Sequence, residues 1–236
     1  QPTKKVEATE VVEATLTAEL RIGTPEHPIK VLFVPSVNVD YMIESGELIE
    51  KAFYEATGLY YEVSVPTSYA ATIEEMCASP GDTIGFIPAM GYALANKLCG
   101  VEPALASVRY GWNVYFTAFF VARDGEYESY TDLGKTLRQL EGASWAYPDA
   151  ASTSGYVYPL SLFDKYNVQV GETLEAGGHP QVVKAIYNGE VDFGTAFYTP
   201  LLLPEGRWQI GDPPDVPEDI VAECGLNEEG ILFCGG

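Results

Sequence analysis

The chain has 236 residues, of which 47% are hydrophobic and only 20% charged, so we expect a folded protein with a sizeable core. Its 34 acidic residues outnumber its 13 basic residues and give a net charge of −21, which disfavours nucleic acids and anionic membrane surfaces as partners. No apolar run approaches the about 18 residues that a membrane span needs, so none is predicted.

The first residues, 1–27, are poor in aromatic side chains and rich in Thr, Glu and Ala. This composition is typical of a flexible segment or a weak helix rather than of a buried core. We therefore predict an N-terminal tether over these residues, and a cleaved export signal could have preceded it.

Residues 28–117 alternate between short apolar runs and amphipathic stretches. Strand signals lie at 28–36, 60–66, 82–88 and 103–111, and helix signals lie at 47–58, 68–79 and 89–100. Such alternation predicts a mostly parallel sheet with helices on both faces. We assign these residues to a first α/β lobe.

A second α/β lobe is predicted over residues 118–198. Its strand signals lie at 114–124, 144–148 and 191–197, and its helix signals at 129–142, 155–167 and 180–190. Pro159 is expected to interrupt or bend the middle helix. On the last helix, the predicted packed face consists of Val182, Val183, Ile186 and Tyr187.

The connections between the lobes are predicted in two apolar segments, one around Phe119 and the other around Phe197. Residues 199–236 are dense in Pro, Gly and acidic residues and are interpreted as a loop with one short helix near 217–223.

The cysteines show no CxxC spacing, and two histidines are too few to complete a zinc site with them. Cys77 lies close to Cys99 in the sequence, as Cys224 does to Cys234. This suits two local disulfides formed in an oxidising compartment. The alternative is four buried free thiols in a cytosolic protein.

Three hydroxyl residues, Ser152, Thr153 and Ser154, stand directly before Gly155 at the predicted entrance to a helix. The N–H groups of a first helical turn lack partners within the helix and carry partial positive charge, so they attract anions. Hydroxyls add donors, and a glycine lets a ligand approach the backbone. The cluster therefore indicates an anion site, while simple N-capping by a serine is an equally good interpretation.

Three further side chains are candidates only as a set with this cluster. Tyr69 starts a helix directly after a strand, where open α/β sheets bind ligands, although a packed core aromatic is the commoner role. His179 follows two glycines and begins the next helix, or it is an ordinary surface histidine. Tyr115, in the long apolar segment, is the weakest of the three.

Several stretches resemble, in order and spacing, the phosphate, phosphite and phosphonate binding proteins of ABC transporters. They are VPTSYAATIEEMCA, DTIGFIP, VYFTAFFVARD, YTDLGKTL, PDAASTSGYVYP and AGGHPQVVKAIYNGEVDFGT. Together they run through residues 30–196. The combination of STSGYVYP with a later GGH is the most specific part of the resemblance.

The resemblance implies a type II periplasmic-binding fold, in which two lobes close on a small tetrahedral oxyanion and deliver it to a membrane permease. The implied ligand-binding residues are Ser152, Thr153 and Ser154 with their amides, and Tyr69, Tyr115 and His179 as further donors. The protein would be a binding protein rather than an enzyme, with no cofactor or metal, located in the periplasm or outside the cell. A lipid-modified cysteine just upstream of Gln1 would anchor it to the membrane.

The sequence departs from the family pattern at its C-terminal end, and other functions are compatible with it. In the family the chain returns to the first lobe, whereas residues 199–236 match poorly, so this return segment is expected to be truncated or to follow another path. The same clamp could bind an amino acid, a sulfonate or a pyrimidine precursor, or act as a sensor or structural domain. A serine hydrolase built on Ser154 and His179 is a further alternative, although the sequence lacks the G-x-S-x-G motif.

Overall fold

The first sheet of the protein is parallel and three-stranded. The computed structural model describes residues 21–107, 115–123 and 125–198, together with the backbone of 225–226 and 232–233. The strands, in the spatial order β2-β1-β3, are β1 (Ile29–Phe33), β2 (Tyr61–Ser64) and β3 (Thr83–Phe86). The helices that follow them are α1 (Val39–Thr57), α2 (Tyr69–Ala78) and α3 (Ala89–Cys99). The predicted alternation in this half is confirmed.

Helix α1 begins well before the apolar periodicity from which it was predicted. The side chain of Asn38 accepts a hydrogen bond from the N–H of Tyr41 at 2.9 Å, and this N-cap fixes the start at Val39. The helix ends where expected, because Gly58 adopts the left-handed φ of 73° and its N–H bonds the carbonyl of Tyr54.

Helices α2 and α3 are joined by a disulfide between Cys77 and Cys99. The first predicted pair is therefore confirmed, and the free-thiol alternative is wrong for these two residues. The second predicted pair, Cys224 with Cys234, lies outside the described residues.

The second sheet contains four strands in the order β4-β7-β5-β6. These are β4 (Thr117–Val121), β5 (Trp145–Tyr147), β6 (Thr173–Glu175) and β7 (Phe193–Phe197). Strand β5 is parallel to both of its neighbours, whereas β4 is antiparallel to β7. Its helices are α4 (Leu133–Arg138), α5 (Tyr158–Tyr166) and α6 (His179–Tyr187). Strand β6 was not predicted, because three residues with one apolar side chain give little periodic signal.

Strands β4 and β7 contain the two segments predicted to connect the lobes. They pair with Thr117 opposite Phe197 and Phe119 opposite Thr195. This antiparallel pairing is what we expect if one strand brings the chain into the second sheet and the other leads it out. The domain boundaries themselves stay a prediction.

The second sheet is held by an aromatic core on one face and an aliphatic core on the other. Trp145 and Phe193 are buried and stack in parallel, and Phe163 packs edge-on against Trp145 with ring centroids 5.2 Å apart. On the other face, α6 buries Val182, Ala185 and Ile186. The packed face predicted for α6 is therefore partly wrong, because Val183 and Tyr187 are exposed. The buried positions follow the spacing of one helical stripe.

The predicted N-terminal tether is packed at its C-terminal end. Residues 21–27 form a turn in which Thr24 bridges His27, and His27 Nε2 lies 2.5 Å from an oxygen of Asp82. The predicted strand 103–111 is absent over 103–107. Three predicted segments lie outside the described residues: the rest of that strand, the first part of the tether (residues 1–20) and the helix expected near 217–223.

Two short strands lie in the C-terminal part of the chain. They are β8 (Gly225–Leu226) and β9 (Leu232–Phe233), which pair antiparallel. Among the helices of the described ranges, none combines the length and apolar character needed to cross a membrane.

Candidate functional site

Helix N-termini from both sheets meet at the candidate site. Helices α2 and α3 follow β2 and β3, while the segment 148–157 follows β5 and α6 follows β6. Because parallel strands end at one edge of a sheet, each sheet presents these N-termini along one edge. Three hydrogen bonds join the two edges. The backbone N–H of Met90 donates to Thr153 Oγ1 at 2.8 Å, and the backbone N–H of Tyr69 donates to Asp149 Oδ2 at 3.3 Å. In the third, the N–H of His179 donates to the carbonyl of Ser36 at 3.1 Å.

The hydroxyl cluster begins a π-helical turn, Thr153–Val157, which continues into α5. Ser152 is the N-cap, and its Oγ accepts a hydrogen bond from the N–H of Gly155 at 3.1 Å. The N-capping interpretation is therefore confirmed for Ser152. The N–H of Ser152 is also occupied, since it donates to the carbonyl of Asp149 at 3.0 Å.

The next two amides of this turn are free. Among the described residues, no hydrogen bond is made by the backbone N–H of Thr153 or of Ser154. Ser154 is nevertheless buried. Thr153 is partly buried. The N–H groups of a first helical turn have no acceptor within the helix, so these two donors are available to an acceptor from outside the turn.

Thr153 retains a donor for such an acceptor. Its Oγ1 accepts the N–H of Met90 across the interface between the two sheets, so its own O–H proton remains to be donated. One side chain therefore joins the N-terminus of α3 to the turn that contains the hydroxyl cluster and keeps a proton to donate.

Tyr69 is 2% exposed and lies beside the hydroxyl cluster. Burial raises the pKa of its hydroxyl above its ordinary value, the charge of Asp149 raises it further, and a hydrogen bond with Ser152 opposes the rise. Tyr69 is therefore a neutral phenol. When the Ser152 proton is donated to the Tyr69 oxygen, the Tyr69 O–H is left to donate elsewhere.

Tyr115 lies at the same turn, although 47% of its surface is exposed. Burial of its hydroxyl raises the pKa of Tyr115, and hydrogen bonds with Thr153 and Ser154 oppose that rise. The hydroxyl of Tyr115 therefore lies close to the cluster, although nearly half of the residue surface is open to solvent. Of the predicted site residues, it is the most accessible from solvent.

His179 is buried at the first position of α6. Its Nδ1 accepts a hydrogen bond from the N–H of Phe197 at 3.2 Å, and its ring packs edge-on against the Phe197 ring. Burial lowers the pKa of His179 to about 4. The imidazole is therefore neutral at pH 7, and because Nδ1 is an acceptor, the proton resides on Nε2.

The geometry relates His179 to the cluster indirectly. No hydrogen bond within the described ranges joins His179 to Ser152, Thr153 or Ser154. The loop before α6 instead lies beside the loop after β5. The N–H of Gly177 donates a hydrogen bond to the carbonyl of Pro148 at 3.0 Å. His179 thus lies at the same edge, with Nε2–H as an additional donor.

The donors gathered at this edge are all uncharged. They comprise two backbone amides, the Tyr69 hydroxyl, the His179 Nε2–H and one O–H proton from Thr153 and Tyr115, because the hydrogen bond between these two hydroxyls uses the other proton. Such a set suits an anion without basic side chains, because a helix N-terminus and oriented dipoles supply the positive potential. It also fits a protein whose overall charge is strongly negative. Within the described ranges, no cluster of His, Cys, Asp and Glu residues is arranged to hold a metal ion.

Three groups at the interface of the two sheets were not predicted. Asp149 could have been noticed as a polar residue directly after a strand. Met90 and Ser36 act through backbone atoms, so their side-chain identities carry no signal for these contacts.

The fold and the donor set define a class of two-sheet α/β proteins with a site between facing helix N-termini. Residues 31–210 match the family described as "ABC transporter, phosphonate, periplasmic substrate-binding protein". The chain belongs to this family, whose members bind solutes for transport and are not enzymes. The resemblance expected from the sequence is confirmed.

Among known proteins, the chain is similar to the phosphate-import protein PhnD of Mycolicibacterium smegmatis. The two are 28% identical over 189 residues, which cover 75% of this chain and 57% of the relative. The chain therefore spans less than two thirds of that relative's length.

Two solved structures share the fold. PhnD1 from Prochlorococcus marinus, in complex with methylphosphonate, matches with a TM-score of 0.64 and 17% identity over 71% of this chain and 62% of that one. A binding protein component of an ABC phosphonate transporter from Pseudomonas aeruginosa matches with a TM-score of 0.59 and 20% identity over 72% of this chain and 57% of that one. The predicted α/β fold of type II periplasmic-binding proteins is thereby confirmed.

Proposed function

We propose that this protein is an extracytoplasmic solute-binding protein of an ABC importer and captures a small phosphorus oxyanion: phosphonate, phosphite or phosphate. Family membership supports the transport role, and the relatives named above are a phosphate-import protein and a methylphosphonate complex. The proposed ligand-binding residues are Tyr69, Tyr115, Ser152, Thr153, Ser154 and His179.

The observation that carries the proposal is the pair of free amides at Thr153 and Ser154. They occupy the first turn of a helical segment, where the dipole favours negative charge. The oxygens of a tetrahedral oxyanion accept several hydrogen bonds at once, so one ligand can satisfy both amides and the neighbouring hydroxyls. Ser152 then contributes mainly by capping the turn and orienting the Tyr69 hydroxyl.

The expected energies are sufficient for specific binding. Hydrogen bonds to a charged group contribute about 1.5–3 kcal/mol each. Four or five such bonds can support micromolar or tighter affinity, which corresponds to about 8 kcal/mol or more, after the cost of ordering both partners.

The same geometry disfavours a serine hydrolase built on Ser154 and His179. A histidine base needs an unprotonated Nε2, with Nδ1–H donating to an acid. Here Nδ1 accepts the N–H of Phe197, which places the proton on Nε2. His179 is thus arranged to donate to a ligand rather than to deprotonate a hydroxyl.

The transport role implies two further features. A membrane permease would receive the solute from this protein, which would act in the periplasm or outside the cell. Lipid anchorage through a cysteine upstream of Gln1 is the finer part of this proposal, and intact-mass analysis of the native protein tests it by the presence or absence of an N-terminal acyl group.

Calorimetry and thermal unfolding test the ligand class. Inorganic phosphate, phosphite and methylphosphonate are compared with sulfate, glutamate and a pyrimidine precursor. We expect at least one phosphorus oxyanion to bind, with a gain of about 2.7 kcal/mol in unfolding free energy at 100 times its Kd. Stabilisation by a non-phosphorus solute alone would overturn the proposed ligand while leaving the fold assignment intact.

A further inference from the structure

The carbonyl of Gly155 occupies an unusual position within the anion-binding turn. In a regular α-helix this carbonyl would accept the N–H four residues later. That position is Pro159, which has no N–H to donate. The segment relaxes into a π-helical turn, in which the N–H groups of Val157 and Tyr158 reach back five residues to the carbonyls of Ser152 and Thr153.

A side chain on a neighbouring strand supplies the hydrogen-bond donor that Pro159 lacks. Thr195, on β7, donates its hydroxyl proton to the Gly155 carbonyl at 2.5 Å. The same Oγ1 accepts the indole N–H of Trp145, on β5, at 2.8 Å. Thr195 and Trp145 are both buried. The hydroxyl of Thr195 therefore has one donor and one acceptor partner, and neither partner is a water or a ligand.

Gly155 is held on three sides by this arrangement. Its N–H is bound by the Ser152 Oγ at 3.1 Å, and its carbonyl is bound by Thr195. Its Cα faces Pro148 so closely that an added Cβ would lie 2.3 Å from that proline ring. Because the peptide planes before Gly155 are connected to it, fixing this residue also fixes the directions of the Thr153 and Ser154 amides.

We infer that Thr195, supported by Trp145, is a positioning residue for oxyanion binding. It does not contact the ligand, but it holds the π-helical turn so that the free amides of Thr153 and Ser154 converge on one acceptor. Since β7 also contains Phe197, whose N–H fixes the tautomer of His179, one strand orients the turn amides and the His179 donor at the same edge of the second sheet. This inference rests on the proposed oxyanion function.

The test compares Thr195→Val, which keeps the shape and removes the hydroxyl, with Thr195→Ser, which keeps the hydroxyl. Calorimetry is performed with whichever of phosphate, phosphite and methylphosphonate binds the wild-type chain most tightly. We expect Thr195→Val to weaken binding about tenfold or more and Thr195→Ser to stay within about threefold of wild type, since a lost buried hydrogen bond corresponds to roughly this factor. Thermal unfolding of both variants, without ligand, is measured in parallel.

Trp145→Phe provides a second variant, because it retains an aromatic core residue and removes only the indole donor. We expect about threefold to tenfold weaker binding, in keeping with a hydrogen bond that acts one step further from the ligand. If Thr195→Val does not fold, Trp145→Phe and Thr195→Ser alone decide the question by the same comparison.

The outcomes separate the two proposals. If wild type binds a phosphorus oxyanion and the hydroxyl-deficient variants bind it equally well while only their melting temperatures fall, the positioning role is wrong and the proposed function stands. If wild type binds none of the three oxyanions, both proposals are wrong. Weakened binding by Thr195→Val that Thr195→Ser restores supports the positioning role.

Discussion

The two sheets of this protein contribute to the site in different ways. The second sheet has a dense aromatic core and holds the π-helical turn at Thr153–Val157 through buried hydrogen bonds. In the first sheet, helix α1 buries only Gly46 within the described part of the chain, and its Tyr41 and Leu48 are largely exposed. The first sheet offers Tyr69 and backbone groups at helix N-termini. The second sheet therefore fixes the positions of most of the donors, and the first sheet adds Tyr69 and backbone contacts across the interface.

The largest expected effect of substitution lies in the core of the second sheet. Phe193→Ala removes a side chain with no exposed surface, so we expect the free energy of unfolding to fall by about 3–5 kcal/mol in denaturant titrations. The matched control is Leu48→Ala on α1, which should change it by less than about 0.5 kcal/mol. Similar losses from both variants would contradict the contrast between the two sheets.

The disulfide is the corresponding strong constraint in the first sheet. It closes a loop with a sequence separation of 22 between α2 and α3, whose N-termini contact the segment 149–153 of the second sheet. Chain-entropy arguments give about 3 kcal/mol of stability for a loop of this size. We expect reductant to lower the melting temperature of wild type. Without reductant, a Cys77→Ala/Cys99→Ala variant should have a lower melting temperature than wild type. Reductant should not lower it further through this disulfide.

His179 gives the acidic stability profile a defined contribution. Its folded pKa of about 4 lies below the ordinary value of 6.5, so the unfolded chain binds the proton more tightly. Unfolding free energy should therefore be highest above pH 6.5 and fall as the pH drops, by about 2 kcal/mol between pH 6.5 and 4.5. His179→Gln should lack this component when the two pH profiles are subtracted. If the unfolding free energies of wild type and His179→Gln changed with pH in the same way, His179 would not be desolvated in the folded protein.

The smallest expected effect concerns the closure of the two sheets. Asp149→Ala removes the carboxylate that accepts the Tyr69 N–H across the interface and the Ala151 N–H within its own loop. The bond across the interface is worth about 1 kcal/mol. We expect a measurable increase in the radius of gyration of the ligand-free protein by small-angle scattering. Asp164→Ala, which removes an exposed carboxylate on α5, serves as the control. An unchanged radius of gyration in both variants would show that this contact does not hold the two sheets together.

Much of the fold was predictable because its signals are local. The alternation of apolar runs with amphipathic stretches located all but one of the strands that pair in the two larger sheets, and the proximity of Cys77 to Cys99 predicted their bond. Strand β6 was not predicted because its pairing with β5 depends on tertiary contact. The start of α1 was not predicted because a single N-cap at Asn38 determines it.

The site was predictable in part for a related reason. Ser152, Thr153 and Ser154 stand out because they precede a glycine and a helix. The role of Thr195 could not be read, because it depends on an absent N–H at Pro159 and on two strands brought together by the fold. Likewise, the tautomer of His179 follows from a backbone donor at Phe197 that no side-chain pattern encodes.

The central claim is tested most directly by NMR titration of ¹⁵N-labelled protein with methylphosphonate, phosphite and phosphate. We predict that one of these ligands shifts the amide resonances of Thr153 and Ser154 strongly downfield in proton, in step with saturation of the site. The account would be contradicted if a bound oxyanion left these two amides unmoved while shifting resonances elsewhere, or if none of the three ligands changed the spectrum.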